Sequence, residues 1–276
     1  SFFENFLQCN HIKLVIFAND MTAINRIAIS ACKNVGVKSM IYLHGLPAGS
    51  YNAIDNNRAD YLCVWGDRMK ELCVNAGVNA NKVIVMGNAK YSGQKFPDTH
   101  PASFDNVLVL SRAISGAPSD SVKRPIENRG LSIDYIYMVE EALKRVGVNK
   151  ATLRLHPSEN GEWYKKFIDS DFYTLDDKSL MDCLSDKTAI VSPASTVMFD
   201  AFLCGIPFFA FEPHTIIGYE VVPPFDGSEE EMPIAKSISE LVDHLQHNIV
   251  ASHALIDKYI NPVVDMSKIK ELLPNG

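Results

Sequence analysis

Two short polar segments of this chain have the composition of an anion-binding site. In the run AIVSPASTVMFDAFLCG, the hydroxyl residues Ser192, Ser195 and Thr196 follow an apolar stretch and precede a helical pattern. Hydroxyls and free backbone N–H groups at the start of a helix suit phosphate. His156 and Pro157 follow a second apolar run, ATLRL. The alternatives are that Ser195 or Thr196 only caps the helix, and that His156 only bonds backbone in a loop.

Two polar residues also end apolar runs in the amino-terminal part of the chain. Asp20 follows IKLVIFAN, and His44 follows KSMIYL. A carboxylate in such a place can act as a general base. The other interpretation of Asp20 is that it caps the next helix, a role for which Thr22 competes.

The elements that must position these residues are strands alternating with helices. Apolar runs of strand length are separated by helix-length segments, which predicts βαβ units and parallel sheets. The turn-rich stretch AKYSGQKFPDTHPASFDN, residues 89–106, interrupts the series and predicts an interdomain connection. We therefore predict an α/β fold with two Rossmann-like, doubly wound domains facing a cleft, residues 1–95 and 96–276. Ligands should lie beyond the carboxyl ends of the strands.

Composition excludes several classes of protein. The chain has 276 residues with 47% hydrophobic and 21% charged residues, as in globular proteins. Its net charge of −7 argues against nucleic-acid partners. Six scattered cysteines without a CxxC pair predict neither a disulfide framework nor a zinc site, and indicate a reducing cytosol. No run reaches the roughly 20 apolar residues of a membrane span, so we expect a cytoplasmic protein.

The motifs resemble a known group of enzymes. LHPSE, then SPAST on a strand–helix turn, then GIPFFAFEP are similar to the carboxy-terminal half of GT-B glycosyltransferases. The likeness is to the bacterial capsule and lipopolysaccharide type that uses CMP-linked sialic acid or Kdo and carries HP and SS motifs. The run from VIFAND to KVIVMGN resembles the latter part of a GT-B acceptor domain. That domain is shortened here, so the chain is either a fragment or has a trimmed amino domain.

The resemblance implies a role for each candidate residue. It makes residues 1–95 the acceptor-side domain, with Asp20 or His44 as the catalytic group. It makes residues 96–276 the donor-binding domain, closed by carboxy-terminal helices of which the last can cross back to the first domain. The implied donor-binding residues are Ser111, Arg112, His156, Pro157, Ser192, Ser195, Thr196 and Glu212. Among them, Arg112 would neutralise phosphate charge and Glu212 would bind ribose hydroxyls.

The implied function is metal-independent transfer of an acidic sugar, without a cofactor, from a CMP donor to a surface polysaccharide or glycolipid. A lipid on that acceptor would bring the enzyme to the inner membrane face. Three alternatives stay open: a UDP-N-acetylglucosamine 2-epimerase, a CDP-glycerol glycerophosphotransferase and a catalytically silent subunit that binds sugar nucleotides. The sequence does not choose between inverting and retaining chemistry.

Overall fold

The fold consists of two compact units, which are described separately. The computed structural model describes residues 1–47, 58–111, 130–157, 159–214 and 221–273. Among these, unit 1 comprises residues 1–94, 221–222 and 254–273, and unit 2 comprises residues 95–214 and 223–253. The boundary after Gln94 lies one residue before the one that the sequence predicts.

Unit 1 is built on a parallel four-stranded sheet in the order β1-β2-β3-β4. The strands are β1 (Leu14–Phe17), β2 (Lys38–Tyr42), β3 (Tyr61–Val64) and β4 (Val83–Val85). The helices are α1 (Phe2–Cys9), α2 (Ala23–Asn34) and α3 (Asp67–Asn75), with a short 3₁₀ turn at Ala80–Lys82. All four strands fall on the predicted apolar runs. Their described order is sequential, so the reversal of a doubly wound sheet is not seen in this unit.

Local signals explain where the elements of unit 1 begin and what they bury. The hydroxyl of Thr22 accepts a hydrogen bond from the backbone N–H of Asn25, 3.2 Å away, and so caps α2. Trp65 and Met69 belong to the core, since their exposed fractions are 1% and 0%. The buried indole N–H of Trp65 is satisfied by the carbonyl of Leu43 at 2.7 Å.

The carboxy-terminal helices α9 (Ala254–Tyr259) and α10 (Ser267–Leu272) belong to unit 1, which corrects the prediction that they close the donor domain. Backbone hydrogen bonds explain the placement. The N–H of Asn261 donates to the carbonyl of Trp65 at 2.8 Å, and the N–H of Asp265 donates to the carbonyl of Met86 at 3.0 Å. The chain therefore returns to the first unit, as the resemblance allowed for its last helix.

Unit 2 contains a parallel six-stranded sheet in the order β10-β9-β8-β5-β6-β7. Its strands are β5 (Val107–Leu110), β6 (Ala151–Arg154), β7 (Tyr173–Asp176), β8 (Ala189–Ser192), β9 (Phe208–Phe211) and β10 (Ile234–Ala235). Its helices are α4 (Gly130–Arg145), α5 (Gly161–Tyr164), α6 (Leu180–Leu184), α7 (Val197–Leu203) and α8 (Ile238–His247). The strand order reverses between β5 and β8, so this sheet is doubly wound, as predicted.

The core of unit 2 lies on both faces of this sheet. The aromatic residues of β9 are fully buried, so they belong to the core. On α4, one helical face is buried against the sheet and includes Ile136, Val139 and Leu143. All six cysteines of the chain are free thiols. The carboxyl ends of the strands are thus held by a packed core.

Candidate functional site

The candidate site is the carboxyl edge of the unit 2 sheet, around the reversal in strand order. Val109 of β5 pairs with Val191 of β8, and Leu110 of β5 pairs with Arg154 of β6. Because neighbouring strands lie about 4.8 Å apart, the segments that follow these three strands leave the sheet side by side. Ligands of doubly wound sheets bind at such a reversal.

The turn after β6 is tied to the end of β5. The backbone N–H of His156 donates to the hydroxyl oxygen of Ser111 at 2.9 Å and to the carboxylate of Glu159 at 3.1 Å. The N–H of Ser111 donates to the carbonyl of Arg154 at 3.1 Å. Two residues predicted from separate parts of the sequence, Ser111 and His156, are therefore in direct contact.

Glu159 is the residue of this turn that the sequence analysis missed. Its carboxylate accepts hydrogen bonds from the hydroxyls of Ser111 and Tyr164 as well as from the His156 backbone. The N–H of Glu159 in turn donates to the carbonyl of His156 at 2.8 Å. The available signal was a carboxylate three residues after His156, within the run LHPSEN.

A cavity of about 550 Å³ opens beside this turn, at the ends of β6 and β7. Its lining includes His156, Pro157, Glu159, Arg154 and Asp176. The guanidinium of Arg154 lies 3.7 Å from the carboxylate of Asp176 and donates to the carbonyl of Lys178, which fixes its position. A volume of several hundred Å³ suits a small organic ligand.

The SPAST turn after β8 presents two of its three hydroxyls. Ser195 and Thr196 are half-buried, whereas Ser192 is 1% exposed and donates to the carbonyl of Pro193 at 2.8 Å. Thr196 is the N-cap of α7, but its side chain makes no capping hydrogen bond. The Thr196 side chain thus does not cap α7, Ser192 is not exposed to a ligand, and phosphate binding by Ser195 and Thr196 stays a prediction.

Glu212 holds the same turn from the neighbouring strand. One oxygen of its carboxylate accepts a hydrogen bond from the backbone N–H of Ala194, 3.0 Å away. Its own N–H donates to the carbonyl of Ala235 in β10 at 2.9 Å. The carboxylate of Glu212 is therefore bonded to the turn that carries the predicted phosphate ligands. Its binding of ribose stays a prediction. Arg112 lies outside the described residues.

In unit 1, Asp20 and His44 lie at the carboxyl ends of the neighbouring strands β1 and β2. Asp20 is completely buried, and its carboxylate accepts the backbone N–H of Arg58 at 2.9 Å with the guanidinium 3.7 Å away. In this structure the Asp20 carboxylate is therefore bonded to Arg58 and not exposed to an acceptor, and its catalytic role stays a prediction. Because Thr22 caps α2, Asp20 is not the cap.

His44 is exposed and has the geometry of a base. Its Nδ1 lies 3.2 Å from the carbonyl oxygen of Ala18. A carbonyl only accepts, so this contact favours the tautomer in which Nδ1 carries the proton. The lone pair then lies on Nε2, where the imidazole can take a proton from a substrate.

Within the described ranges, no three His, Cys, Asp or Glu side chains come together as ligands for a metal ion. Among the helices that the structure describes, none has the length and apolar character needed to cross a membrane. Metal-independent chemistry stays a prediction.

Comparisons with known proteins give structural likeness only. No protein-family model and no curated protein sequence matches this chain. S. aureus MnaA, solved with UDP, is similar over 95% of this chain and 73% of its own, with 14% identity and a TM-score of 0.59. UDP-GlcNAc 2-epimerase from Neisseria meningitidis, bound to UDP-GlcNAc, is similar over 98% of this chain and 77% of its own, with 13% identity and a TM-score of 0.57.

A variant of the wall teichoic acid polymerase TagF is similar over 94% of this chain and 70% of its own, with 13% identity and a TM-score of 0.50. Across the similar solved structures, this chain spans between 58% and 80% of their length. These likenesses confirm the predicted α/β fold with Rossmann-like parallel sheets. At such low identity they describe the fold and not the activity.

Proposed function

We propose that this chain is a glycosyltransferase that takes a sugar from a nucleotide donor bound at the carboxyl edge of the unit 2 sheet. The observation that carries the proposal is the contact between Ser111 and the His156 turn, beside the SPAST turn and at the reversal in strand order. The cavity of about 550 Å³ next to His156 has the size for part of a nucleotide. Similar folds solved with UDP or UDP-GlcNAc support this class of ligand.

The proposed chemistry separates binding of the donor from activation of the acceptor. The hydroxyls of Ser195 and Thr196 and the side chain of His156 would bind the phosphate and stabilise the negative charge of the leaving nucleotide. Arg112 would add a positive charge to the same group. The acceptor hydroxyl would lose its proton to Nε2 of His44, the ring nitrogen opposite the one that contacts the carbonyl of Ala18. Asp20 would act only by fixing Arg58.

For the donor we propose a CMP-linked acidic sugar, sialic acid or Kdo, and for the acceptor a surface polysaccharide or glycolipid. This finer assignment rests on the HP and SPAST motifs. We expect no metal or other cofactor, and a cytoplasmic enzyme that a lipid-linked acceptor would bring to the inner membrane face.

The second candidate is an epimerase of UDP-N-acetylglucosamine. Two of the similar structures favour it, one solved with UDP and the other a UDP-GlcNAc 2-epimerase by name. The teichoic acid polymerase among the similar structures likewise keeps transfer of CDP-glycerol open. A subunit that binds sugar nucleotides without turnover would show donor binding alone.

Calorimetric titration of the protein with CMP, CDP and UDP tests the proposal, with the variant His156→Ala measured alongside. We expect CMP to bind in the micromolar range and the variant to lose at least about tenfold in affinity, as removal of a hydrogen bond to a charged group does. His247→Ala is the matched control, because His247 lies exposed on α8, outside the segments that follow β5, β6 and β8.

The outcomes separate the candidates. A preference for UDP would replace the CMP donor and favour the epimerase, which release of N-acetylmannosamine from UDP-GlcNAc would then test. A preference for CDP would favour CDP-glycerol transfer. If none of the three nucleotides bound, the polar turns of the sheet edge would be ordinary loop structure and the proposal would fall.

A further inference from the structure

The carboxylate of Glu159 joins the HP turn to two other parts of unit 2. Glu159 belongs to the turn itself, yet its carboxylate reaches the end of β5 through the hydroxyl of Ser111 and the helix α5 through the hydroxyl of Tyr164. The same carboxylate accepts the backbone N–H of His156 at 3.1 Å. Three donors from three successive parts of unit 2 thus converge on one carboxylate.

The anchor of this cluster is rigid. Tyr164 is 1% exposed, and its ring packs edge-on against Trp163 with ring centres 5.0 Å apart. The N–H of Ser111 is bonded to the carbonyl of Arg154, which joins the ends of two neighbouring strands. A carboxylate bonded to such partners has a fixed position. It therefore also fixes the backbone of His156, whose N–H donates to it.

The donor and acceptor roles in these hydrogen bonds exclude phosphate binding by the hydroxyl of Ser111 and by the backbone N–H of His156. The hydroxyl of Ser111 gives its one proton to Glu159 and uses a lone pair for the N–H of His156. With both of these contacts made, Ser111 has no proton left for a phosphate oxygen. The backbone N–H of His156 is likewise occupied, so the side chain of His156 is what the turn presents.

We infer that Glu159 is a positioning residue for the proposed nucleotide site: it holds His156 and Ser111 in the arrangement that binds the donor, without touching the donor phosphate itself. The inference rests on the proposed function and adds to it a residue that the motifs did not indicate. It also changes the role of Ser111 from a phosphate ligand to part of the support.

For Glu159→Ala, the loss of charge and the loss of positioning predict opposite changes in nucleotide affinity, which makes the inference testable. Removing a carboxylate near a bound nucleotide phosphate lowers repulsion, so charge alone predicts tighter binding for Glu159→Ala. Loss of positioning predicts weaker binding, because His156 and Ser111 are no longer fixed. Glu162→Ala is the matched control, since it removes the same charge from the lining of the same cavity, while its side chain is 79% exposed and pairs with Lys165.

The experiment is calorimetric titration of CMP, CDP and UDP into the wild type and the variants, with thermal unfolding as a check of folding. We expect Glu159→Ala to weaken binding of the preferred nucleotide at least about tenfold, and Glu162→Ala to bind at least as tightly as the wild type. Glu159→Gln should stay within about threefold, because its amide oxygen still accepts from Ser111 and His156 while its NH₂ group donates to Tyr164.

A second variant covers the case in which Glu159→Ala fails to fold. Tyr164→Phe removes one of the three donors and keeps the buried ring, and we expect it to weaken binding by about threefold. Amide hydrogen exchange of His156 gives a readout without any nucleotide, and it should be faster in Glu159→Ala than in Glu162→Ala.

Each result bears on a different claim. Equal affinity of Glu159→Ala and the wild type, or tighter binding by that variant, would overturn the positioning role and leave the proposed function standing. Unchanged exchange at His156 would overturn it as well. Absence of binding by the wild type to all three nucleotides would overturn the proposed function together with this inference.

Discussion

The buried hydroxyl of Ser192 donates a hydrogen bond to the carbonyl of Pro193, 2.8 Å away. This contact divides the SPAST turn into an inner part that shapes the backbone and an outer part that is open to a ligand. Ser192 belongs to the inner part, with 1% of its surface exposed. The half-buried Ser195 and Thr196 form the outer part.

The two parts should respond differently to substitution. We expect Ser195→Ala and Thr196→Val each to weaken nucleotide binding by about tenfold, because each removes a hydrogen bond to a charged phosphate. Ser192→Ala should leave the affinity within about twofold and lower the free energy of unfolding by about 1 kcal/mol. Calorimetric titration and urea unfolding measure the two quantities.

A large loss of affinity in Ser192→Ala, with Ser195→Ala and Thr196→Val unaffected, would contradict this division. It would mean that the ligand reaches the inner hydroxyl and that the turn rearranges on binding. The comparison is well matched, because Ser192→Ala and Ser195→Ala remove the same atom three residues apart.

Most of the parallel strands were predictable from the sequence. All four strands of unit 1 and the strands β5, β6, β8 and β9 of unit 2 lie on apolar runs, a pattern typical of strands in parallel sheets. The strands β7 and β10 were missed, and both lie at an edge of the six-stranded sheet. At an edge, burial is incomplete, so Thr174 is exposed and the apolar pattern is interrupted.

The candidate site was predictable as far as topology brings residues together. The segments that follow the paired strands β5 and β6 must lie side by side, and Ser111 does contact His156. The residues that hold these groups were not predictable, because their contacts are long-range and leave no periodic pattern. Arg58 meets Asp20 across 38 positions of sequence, and Glu159 meets Ser111 across 48. The acidic run GSEEEMP, residues 227–233, gives no sequence signal that Glu229 is buried, yet this side chain is 7% exposed.

His44 and Asp20 should separate catalysis from stability. We expect His44→Ala to lower the rate of sugar transfer by about 10²- to 10⁴-fold with nucleotide affinity retained, because a general base contributes that much. Asp20→Ala should lower the free energy of unfolding by about 2 kcal/mol, since it leaves the N–H and guanidinium of Arg58 without the buried carboxylate.

Release of CMP from CMP-sialic acid, with urea unfolding in parallel, measures both effects. His247→Ala is a suitable control for the loss of an exposed histidine. If Asp20→Ala abolished turnover at unchanged stability while His44→Ala remained active, the base would be the carboxylate and the buried position of Asp20 would have to open during the reaction.

The cysteines should react in an order set by their burial. Burial raises the pKa of the Cys63 and Cys73 thiols to about 12, and that of Cys183 to about 11, so little thiolate forms near neutral pH. Cys9 is exposed on α1. We expect a fast phase of reaction with a thiol reagent that Cys9→Ser removes, while Cys63 and Cys73 react only as the protein unfolds. Rapid labelling of Cys63 in the folded protein, read by mass spectrometry of its peptide, would contradict the buried placement of β3.

The stability of unit 2 should fall as the pH is lowered through the range of histidine titration. Burial lowers the pKa of His253, with the nearby carboxylate of Asp98 acting in the opposite direction. The ring of His253 lies 2.9 Å from the hydroxyl of Thr99 and packs edge-on against Phe202, with the ring centres 4.6 Å apart. At pH values below the ordinary histidine pKa of about 6.5, His253 is protonated to a greater extent in the unfolded chain than in the folded protein. The unfolded state then holds more protons, so the free energy of unfolding decreases with decreasing pH.

Urea unfolding at pH 7.5 and at pH 5.5 checks this linkage. The difference between the two free energies of unfolding should be smaller in His253→Gln than in the wild type, because glutamine can still contact Thr99 but does not titrate. His244→Gln should reduce the difference independently, since burial also lowers the pKa of His244. His247→Gln serves as the control, because His247 is exposed one helical turn away on the same helix. An equal pH dependence in the wild type and in His253→Gln would show that His253 titrates alike in the folded and unfolded chains, and that its buried contact with Thr99 does not persist in solution.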